Sequence, residues 1–445
     1  MALRRSFGLT KLCADPAALK RRCLLRNVNN VDVDALCSAY AELKQQKQRL
    51  NEDRALLNTL SRSSMTSEDA RKDATEIKAR IKQAAVEETA LEARVEAMAD
   101  RIPNDIHPNT PIGPAKNAAI CSIQGIKPEF SFLPLDHNEL GKRNGWIDTE
   151  FASRVSGHAH YYLTGRGALL ELALVNYAVS MAVANGYIPV KTPDMVREDV
   201  LSACGFRPRA QDAGQIYTVS TDSEESSELC LSATAEIPLA GLFANQTLST
   251  QADEALPWLR ADKNGIRRVV GIGQAFRAEA GARGRATRGI YRVHQFTKVE
   301  LFAVAPPSKS DVVLEEIRQL QEQILSGLDL YFRVLDMPTE ELGAAAYRKY
   351  DVEAWMPGRD DWGELSSASN CTDYQARRLG IRWRSSLHEK PGYAHTLNGT
   401  AMAVPRVIIA LLEQRQQANG NIDLPHALQP FLNVFNTFSN TNPVL

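Results

Sequence analysis

The sequence predicts an α+β protein, in which an N-terminal antiparallel α-helical coiled-coil hairpin precedes a domain built on an antiparallel sheet with helices. Three observations lead to this fold class. Leucines recur every seven residues across 34–60, and a second periodic stretch follows a polar turn, which is the pattern of a two-helix hairpin. Segments 265–279 and 290–304 have strand character and are separated by ten residues, so they should pair antiparallel. Residues 168–184, with Leu170, Leu172 and Leu174 among the expected core residues, carry the pattern of one long buried helix.

The composition is that of an ordinary folded protein of two or three domains. The chain has 445 residues, 44% hydrophobic and 24% charged, with 52 Lys and Arg against 53 Asp and Glu. These values exclude collagen-like, disordered and disulfide-scaffold chains. The net charge of −1 also excludes a protein that coats nucleic acid by bulk charge. No run of about 18 apolar residues occurs, so we expect no membrane-spanning segment. We place the two domains at 1–103 and 104–445.

The first 26 residues are basic and poor in acids. Seven Lys and Arg stand against one acid, Asp15, which is the composition of a mitochondrial transit peptide. Asp15-Pro16 followed by Ala17-Ala18-Leu19 is also a good cap and start for a helix of the mature fold. The two interpretations are compatible, and both stay open.

The cysteines indicate no metal site. The chain has seven of them, scattered and without a C-x-x-C pair, and no histidine cluster has metal-ligand spacing. We therefore expect reduced thiols and no zinc.

The hairpin predicted over 34–102 has one apolar seam. Its periodic side chains are Leu36, Leu43, Leu50 and Leu57 in the first helix, and Ile77, Ile81, Ala84, Leu91, Val95, Met98 and Ile102 in the second. Thr66 or Ser67 is a good N-terminal signal for the second helix, and Pro103 ends it. Because 12 Lys and Arg balance 13 Asp and Glu over this range, charge does not favour nucleic acid over a structural or dimerisation coiled coil. The long rigid shape, which suits an A-form helix, favours an RNA-binding arm.

Side-chain alternation along the two predicted strands suggests a ligand-binding surface. Arg277 and Glu279 lie two residues apart and should share one face, as should Phe296, Lys298 and Glu300 on the partner strand. Charged groups turned toward a core are costly unless something charged binds there. An aromatic ring beside guanidinium groups suits a planar base with phosphates. A solvated sheet face with incidental ion pairs is the alternative.

Several segments resemble the class II aminoacyl-tRNA synthetases in their seryl version. The matching segments are Phe276-Arg277-Ala278-Glu279-Ala280-Gly281 with Thr287–Phe296 (motif 2), Thr234–Leu239 (the serine-binding T-x-E loop), Gly363–Cys371 with Gln375–Arg378, and Thr396–Thr400 leading to Arg406 (motif 3). The helix ending at Gly186 and the turn to Pro193 resemble motif 1, the dimer element, and the hairpin fits the tRNA-binding arm. The resemblance covers residues 15–430 and is most like the mitochondrial branch.

The resemblance implies a two-step ligase that forms seryl-adenylate from serine and ATP and transfers serine to tRNASer. It implies catalytic roles for Arg277 and Arg406. It implies ATP binding by Arg277, Ala278, Glu279, Phe296, Glu364, Leu365, Ser366, Ser367 and Arg406. It implies serine binding by Thr234, Ala235, Glu236, Glu300 and Thr400, and Mg²⁺ binding with ATP by Glu364 and Ser367.

Further expectations concern partners and location. The resemblance implies the partners tRNASer and L-serine, a homodimer through the motif 1 region and a mitochondrial location, with the cytoplasm as the alternative. An inactive, synthetase-like paralogue that binds RNA or a protein partner is the second hypothesis for function. The presence of Arg277, Glu279, Glu300, Glu364 and Arg406 favours the enzyme. A class II enzyme for another amino acid is a third hypothesis without support in the sequence.

Two departures from a regular pattern lead to local predictions. Glu364 and Ser367 are three residues apart, so a regular strand would turn them to opposite faces, and a bulge or turn is required between them if both contact Mg²⁺. Ala401 and Pro405 stand where motif 3 usually has glycine. Because proline fits only the first turn of a helix, a helix should start close to Pro405. From Asn419 onward we expect a docked or frayed terminus without chemistry.

Overall fold

Two units make up the protein in its computed structural model. The structure describes residues 6–62, 68–206, 216–220, 228–250, 256–279, 289–386 and 388–436. The first unit spans Ser6–Asp105, and the second begins at Ile106.

The first unit is helical. Its helices are α1 (Leu9–Leu12), α2 (Pro16–Leu25), α3 (Val33–Arg62) and α4 (Glu68–Ala99). The Asp15 carboxylate accepts a hydrogen bond from the backbone N–H of Ala18, and Pro16 occupies the first turn. Both features stabilise a helix start, so the helix predicted at Asp15-Pro16 is confirmed.

Helices α3 and α4 form the predicted antiparallel hairpin. Leu36, Leu43 and Leu50 are buried along α3, and Ile77 and Val95 are buried along α4. Polar pairs flank this seam, such as the ion pairs from Lys47 to Glu92 and from Arg80 to Asp53. The predicted cap at Thr66 or Ser67 lies outside the described residues.

The described residues of the second unit form sixteen strands, eight of them in one large sheet and the others in shorter sheets. Its strands are β1 (Ala119–Gln124), β2 (Ile147–Asp148), β3 (Tyr162–Leu163), β4 (Ile188–Lys191), β5 (Met195–Arg197), β6 (Thr218–Val219), β7 (Leu229–Leu231), β8 (Thr247–Leu248), β9 (Arg267–Phe276), β10 (Gln295–Ala305), β11 (Phe332–Asp336), β12 (Arg348–Met356), β13 (Asp361–Asn370), β14 (Arg382–Trp383), β15 (Gly392–Tyr393) and β16 (His395–Ala403). The order in the large sheet is β1-β11-β12-β13-β16-β10-β9-β4. Within it only the β4–β9 pair is parallel, so the predicted antiparallel sheet is confirmed.

Helices flank this sheet. They are α5 (His137–Asn144), α6 (Glu150–Ser156), α7 (Arg166–Ala184), α8 (Glu198–Ala203), α9 (Glu236–Leu242), α10 (Ser310–Ser326), α11 (Tyr374–Leu379), α12 (Val404–Gln414) and α13 (Gln429–Asn436). Short 3-10 turns occur at Ala115–Asn117, Pro307–Lys309, Thr339–Glu341 and His426–Leu428. Leu428 is buried and Phe431 packs edge-on against Tyr177, so the described part of the C-terminal segment is docked.

The two faces of the large sheet differ in character. Helices α7, α10 and α12 cover one face and bury Val299 and Leu301 of β10 in the larger hydrophobic core. The other face is covered only in part, by α8, α9 and α11 over Phe302 and Val304. The rest of that second face carries polar and charged side chains, and it is where the predicted site lies.

The predicted strands are longer than the observed ones. Strand β9 ends at Phe276 and β10 begins at Gln295, so Arg277 and Glu279 lie beyond a strand end. Glu279 has a φ of 43°, a left-handed conformation that no regular strand contains. The prediction that Arg277 and Glu279 share a strand face is therefore wrong. The antiparallel pairing of the two strands is confirmed.

The helix predicted at 168–184 forms as α7 but is not buried on all sides. Leu172 and Val183 are 49% and 47% exposed, whereas Leu170 and Leu174 are fully buried. The prediction that Leu172 is buried is therefore wrong, and α7 presents an apolar outer side. Among the described helices, α7 alone is long and apolar enough to cross a membrane by length and composition, and its inner side chains lie in the protein core.

The hairpin seam yields a test of stability. Replacing Leu50, which is 1% exposed, with alanine should destabilise the first unit by about 2–5 kcal/mol, because it removes buried apolar surface and leaves a cavity. Leu56, on the same helix but 47% exposed, is the matched control, and its replacement should change stability by less than about 0.5 kcal/mol. Urea unfolding followed by circular dichroism measures both. Equal losses of stability in the two variants would contradict the burial of Leu50 in the seam between α3 and α4.

Candidate active site

The polar part of the sheet's second face is built by side-chain alternation on four strands. On β10, Lys298 and Glu300 turn toward this face because Val299 and Leu301 turn toward the core. Thr400 of β16 lies opposite Glu300 in the register of the two strands. On β13, Ser367 lies opposite Asp351 of β12. The register thus forms one floor across β10, β16, β13 and β12.

A cleft at one end of this floor combines guanidinium groups with aromatic rings. It is lined by Arg277, Glu279, Ile290, Tyr291, Arg292, Val293, Phe296, Pro405 and Arg406. The guanidinium carbon of Arg277 lies 5.4 Å from the centre of the Phe296 ring. That of Arg406 lies 4.8 Å from the centre of the Tyr291 ring. Glu279 forms an ion pair with Arg292 at 3.0 Å. Such a cleft offers a stacking surface and two fixed cations to an anionic aromatic ligand.

Arg406 is positioned by the start of α12. Pro405 occupies the first turn of this helix, as predicted, and Arg406 extends from the same turn. Its guanidinium lies 3.3 Å from the Glu364 carboxylate and donates to the Glu364 carbonyl at 3.1 Å. Burial raises the pKa of Glu364, but the positive charges of Arg406, Lys349 and Arg277 bring it below its usual range. Glu364 is therefore ionised.

The bulge predicted between Glu364 and Ser367 is present. Ser366 pairs with Val352 and Glu364 pairs with Glu353, so Leu365 is an extra residue in the β12–β13 register. The extra residue restores an even spacing, which returns Glu364 and Ser367 to one face. The Leu365 side chain lies in the core, and the Ser366 hydroxyl donates to the Thr400 carbonyl at 2.5 Å. These two side chains hold the bulge rather than enter the cleft.

A second cluster of charges lies next to the cleft, and its members Thr234, Lys298, Glu300 and Thr400 are buried. Lys298 forms an ion pair with Glu300 at 2.7 Å and donates to the Thr234 hydroxyl at 3.0 Å. The Thr400 hydroxyl donates to Glu300 at 3.3 Å. Glu236, the first residue of α9, follows the buried Ala235.

The amides of two distant residues hold the Glu236 carboxylate. Gln375 and Asn398 donate to the same oxygen of Glu236 at 2.6 and 2.9 Å. Burial and the neighbouring negative charge of Glu300 raise the pKa of Glu236 to about 7, although Gln375 and Lys298 act in the opposite direction. The cluster thus has two carboxylates for one ammonium, and a ligand with its own ammonium group would balance it.

Arg277 connects the two clusters. Its Nε donates to the Ala233 carbonyl at 3.4 Å, which ties it to the loop before Glu236. Burial and the positive charge of Arg406 lower the pKa of Arg277. Because the two guanidinium groups repel each other in the cleft, an anion that binds both of them would relieve this repulsion.

The structure therefore brings most of the sequence-predicted site residues together. The cleft holds Arg277, Glu279, Phe296 and Arg406, with Glu364 in contact, and the buried cluster holds Thr234, Glu236, Glu300 and Thr400. Ala278 follows Arg277 and is half-buried. The arginines of the loop at 280–288 lie outside the described residues.

Sequence reasoning gave no role to four residues that complete the site. Tyr291 lies under Arg406, Arg292 pairs with Glu279, and Gln375 and Asn398 hold Glu236. Asn398 and Gln375 were part of the segments that carried the resemblance. Their place in those segments is the usable signal in the sequence, since amides that become buried need partners.

Comparison with known proteins agrees with this geometry. The family described as "tRNA synthetase class II core domain (G, H, P, S and T)" matches residues 217–415, and "Seryl-tRNA synthetase N-terminal domain" matches residues 8–106. A serine–tRNA ligase of Rubrobacter xylanophilus is 43% identical over 423 residues, which cover 93% of this chain and 95% of that one. The chain belongs to the seryl-tRNA synthetase family.

Other members of the seryl-tRNA synthetase family are similarly close. The mitochondrial serine–tRNA ligase of Mus musculus is 40% identical over 445 residues, covering 96% of this chain and 83% of the mouse protein. The crystal structure of seryl-tRNA synthetase from Pyrococcus horikoshii complexed with ATP superposes with a TM-score of 0.84 at 31% identity, covering 95% of this chain and 97% of that one. The fold and family predicted from the sequence are confirmed.

The titration of Glu236 gives a direct test of the buried cluster. Its carboxyl group should be protonated below about pH 7 and ionised above it. The carboxylic acid band in the infrared difference spectrum between the wild-type protein and the Glu236→Gln variant should therefore disappear as the pH rises through about 7. A band that disappears near pH 4.5, the ordinary pKa of a glutamate, would contradict the burial of Glu236 and the effect of Glu300 on its pKa.

Proposed function

We propose that the protein is a serine–tRNA ligase that activates serine with ATP and transfers the seryl group to the 3′-terminal ribose of tRNASer. The observation that carries this proposal is the adjacency of the two clusters. An aromatic and guanidinium cleft suited to a nucleotide lies next to a pair of carboxylates suited to a small amino acid with a hydroxyl group. Arg277 lines the cleft, donates to the Ala233 carbonyl and interacts electrostatically with Glu300. Close relatives named as serine–tRNA ligases support the same conclusion.

In this proposal the cleft binds ATP. Phe296 stacks on the adenine, and Glu279 accepts a hydrogen bond from its amino group. Arg277 binds the α-phosphate and Arg406 binds the distant end of the triphosphate. The main chain at Ala278 and along Leu365 and Ser366 lies against the nucleotide. The P. horikoshii relative was crystallised in complex with ATP, which supports nucleotide binding by this chain as well.

The buried cluster binds serine. Glu236, with Thr234 and Ala235 beside it, receives the ammonium group, which stabilises the ionised form of Glu236. Glu300 and Thr400 receive the hydroxyl group. An amino acid without this hydroxyl gives the Glu300 carboxylate one hydrogen bond fewer than serine does, and losing a hydrogen bond to a buried charge costs more than losing a methyl contact.

The residues at the β13 bulge fit a Mg²⁺ ion bound with ATP. Glu364 is ionised and the bulge turns it to the same face as Ser367, and Mg²⁺ prefers carboxylate and other oxygen ligands. When bound, the ion neutralises phosphate charge. Among the described residues there is no group of three or more His, Cys, Asp or Glu placed to hold a metal ion, so this ion is held mainly through the nucleotide.

The chemistry requires no side chain as nucleophile. The carboxylate of serine attacks the α-phosphorus of ATP, and pyrophosphate leaves. Arg277 stabilises the negative charge that grows on the α-phosphoryl oxygens, and it is already fixed in the cleft by the Ala233 carbonyl and the Phe296 ring. Catalysis is then positioning plus electrostatic stabilisation.

The remaining parts of the proposal concern assembly and location. Domain 1–103, with its hairpin at 34–102, binds tRNASer, and domain 104–445 carries the chemistry. The exposed Leu172 and Val183 of α7 support a homodimer through the motif 1 region. The basic N-terminus and the similarity to mitochondrial ligases support a mitochondrial location. Bacterial relatives are equally similar, and the cytoplasm is the alternative.

The proposed function is tested by serine-dependent exchange of pyrophosphate into ATP, followed by charging of a tRNASer transcript. Serine should support exchange, and alanine and threonine, the controls, should not. Charging should follow with the same amino acid preference. A folded protein that binds tRNASer but shows no exchange with serine would replace this proposal with the inactive, RNA-binding paralogue.

The role of Glu300 has its own test. Glu300→Ala should raise the KM for serine about 10- to 100-fold, the equivalent of one hydrogen bond to a charged group, and should reduce the ratio of kcat/KM for serine over alanine. Glu316→Ala, which removes a surface carboxylate paired with Arg268, is the control and should leave that ratio unchanged. An unchanged ratio in the Glu300→Ala protein would exclude Glu300 as the group that binds the hydroxyl.

A further inference from the structure

A second buried ion pair lies on the same face of the sheet, and the proposed function leaves it without a role. Lys349 and Asp351 are two residues apart on β12, so both turn to one face. Tyr350 between them packs in the core on the opposite face. Lys349 lies opposite Ser369 and Asp351 lies opposite Ser367 in the β12–β13 register. The pair therefore borders the floor of the site.

One oxygen of Asp351 has no hydrogen-bond partner among the described residues. The Lys349 ammonium donates to Oδ2 at 2.7 Å, whereas Oδ1 is buried and unpaired. The residue as a whole is 4% exposed. A buried carboxylate oxygen without a donor is unfavourable, and a bound ligand or its water that donates to this oxygen would compensate.

The surroundings of Asp351 identify the kind of partner. Ser367 lies directly across from it, and Glu364, one step further along β13 past the bulge, interacts electrostatically with both Asp351 and Lys349. Two carboxylates and a serine hydroxyl thus lie close together, with Lys349 paired to Asp351 and Arg406 paired to Glu364. Oxygen groups of this kind suit a hydrated divalent cation, which keeps several of its waters.

We propose that Asp351 is a further positioning residue of the divalent-cation site, with its free oxygen facing the hydrated Mg²⁺ that Glu364 and Ser367 hold. Lys349, paired with Asp351, and Arg406, paired with Glu364, supply the positive charge that holds these carboxylates when the cation is absent. The inference rests on the proposed function, because ATP brings the cation to this place. Outer groups of this kind affect metal affinity by about 10- to 100-fold in other proteins.

The two members of the pair should have opposite effects on the cation. Asp351→Asn keeps the shape and removes a negative charge, so cation binding should weaken about tenfold or more. Lys349→Met removes a positive charge near the cation, so binding should become tighter. A pair with only a structural role would lower stability in both variants and leave cation affinity unchanged.

The measurement is equilibrium binding of Mn²⁺ to the full-length protein with the unreactive analogue α,β-methylene-ATP, followed by electron paramagnetic resonance of free Mn²⁺. Asp336→Asn is the matched control. Asp336 lies on β11, next to β12, and is 5% exposed. Its carboxylate is held by Arg348 at 2.7 Å, but it turns to the opposite face of the sheet from Asp351. This variant should bind Mn²⁺ like the wild-type protein.

Opposite shifts in the two variants would support the proposal. Wild-type Mn²⁺ affinity in a folded Asp351→Asn protein, or a shift of the same sign in both variants, would overturn it. If Asp351→Asn does not fold, Lys349→Met decides, since unchanged or weaker binding there also overturns the proposal. Serine-dependent exchange by the wild-type protein tests the proposed function separately, so the two failures are distinguishable.

Discussion

The whole site depends on the alternation of side chains along β-strands, which lets one sheet carry a hydrophobic core on one face and charges on the other. On β10, Val299 and Leu301 pack in the core, while Lys298 and Glu300, which alternate with them in sequence, form a buried ion pair. Burying charges is unfavourable unless opposite charges and hydrogen bonds compensate. The charges on this face are therefore held in pairs, and substrate groups add to partners that already exist. The helices behind the sheet make the arrangement rigid.

The charge balance of the two clusters is complementary to the two substrates. On the amino acid side, Glu236 and Glu300 face one lysine, Lys298, so the ammonium group of a ligand completes the balance. On the nucleotide side, Arg277 and Arg406 repel each other within the cleft, so phosphate groups relieve an unfavourable contact. In the proposed function, each substrate thus supplies the charge that its part of the site lacks. No nucleophilic side chain is needed there, because the serine carboxylate itself attacks the α-phosphorus.

Patterns that are local in sequence could be predicted, and features set by distant pairing could not. The heptad leucines predicted the hairpin, and the spacing from Glu364 to Ser367 required the bulge, because each depends on only a few neighbouring residues. The end of β9 was missed, since Arg277 is compatible with a strand interior and the left-handed backbone at Glu279 has no local signal in the sequence. Gln375 and Asp351 acquire their roles through strand register and helix docking. A single sequence does not specify these pairings.

The central claim is that the sheet face binds seryl-adenylate across both clusters. A crystal structure of the protein with the unreactive analogue in which a sulfamoyl group replaces the phosphate of seryl-adenylate tests it most directly. The account predicts the ligand ammonium on Glu236, the hydroxyl between Glu300 and Thr400, and the adenine on Phe296. An analogue bound with its serine moiety outside the buried cluster, or with its ammonium group away from Glu236, would contradict the account.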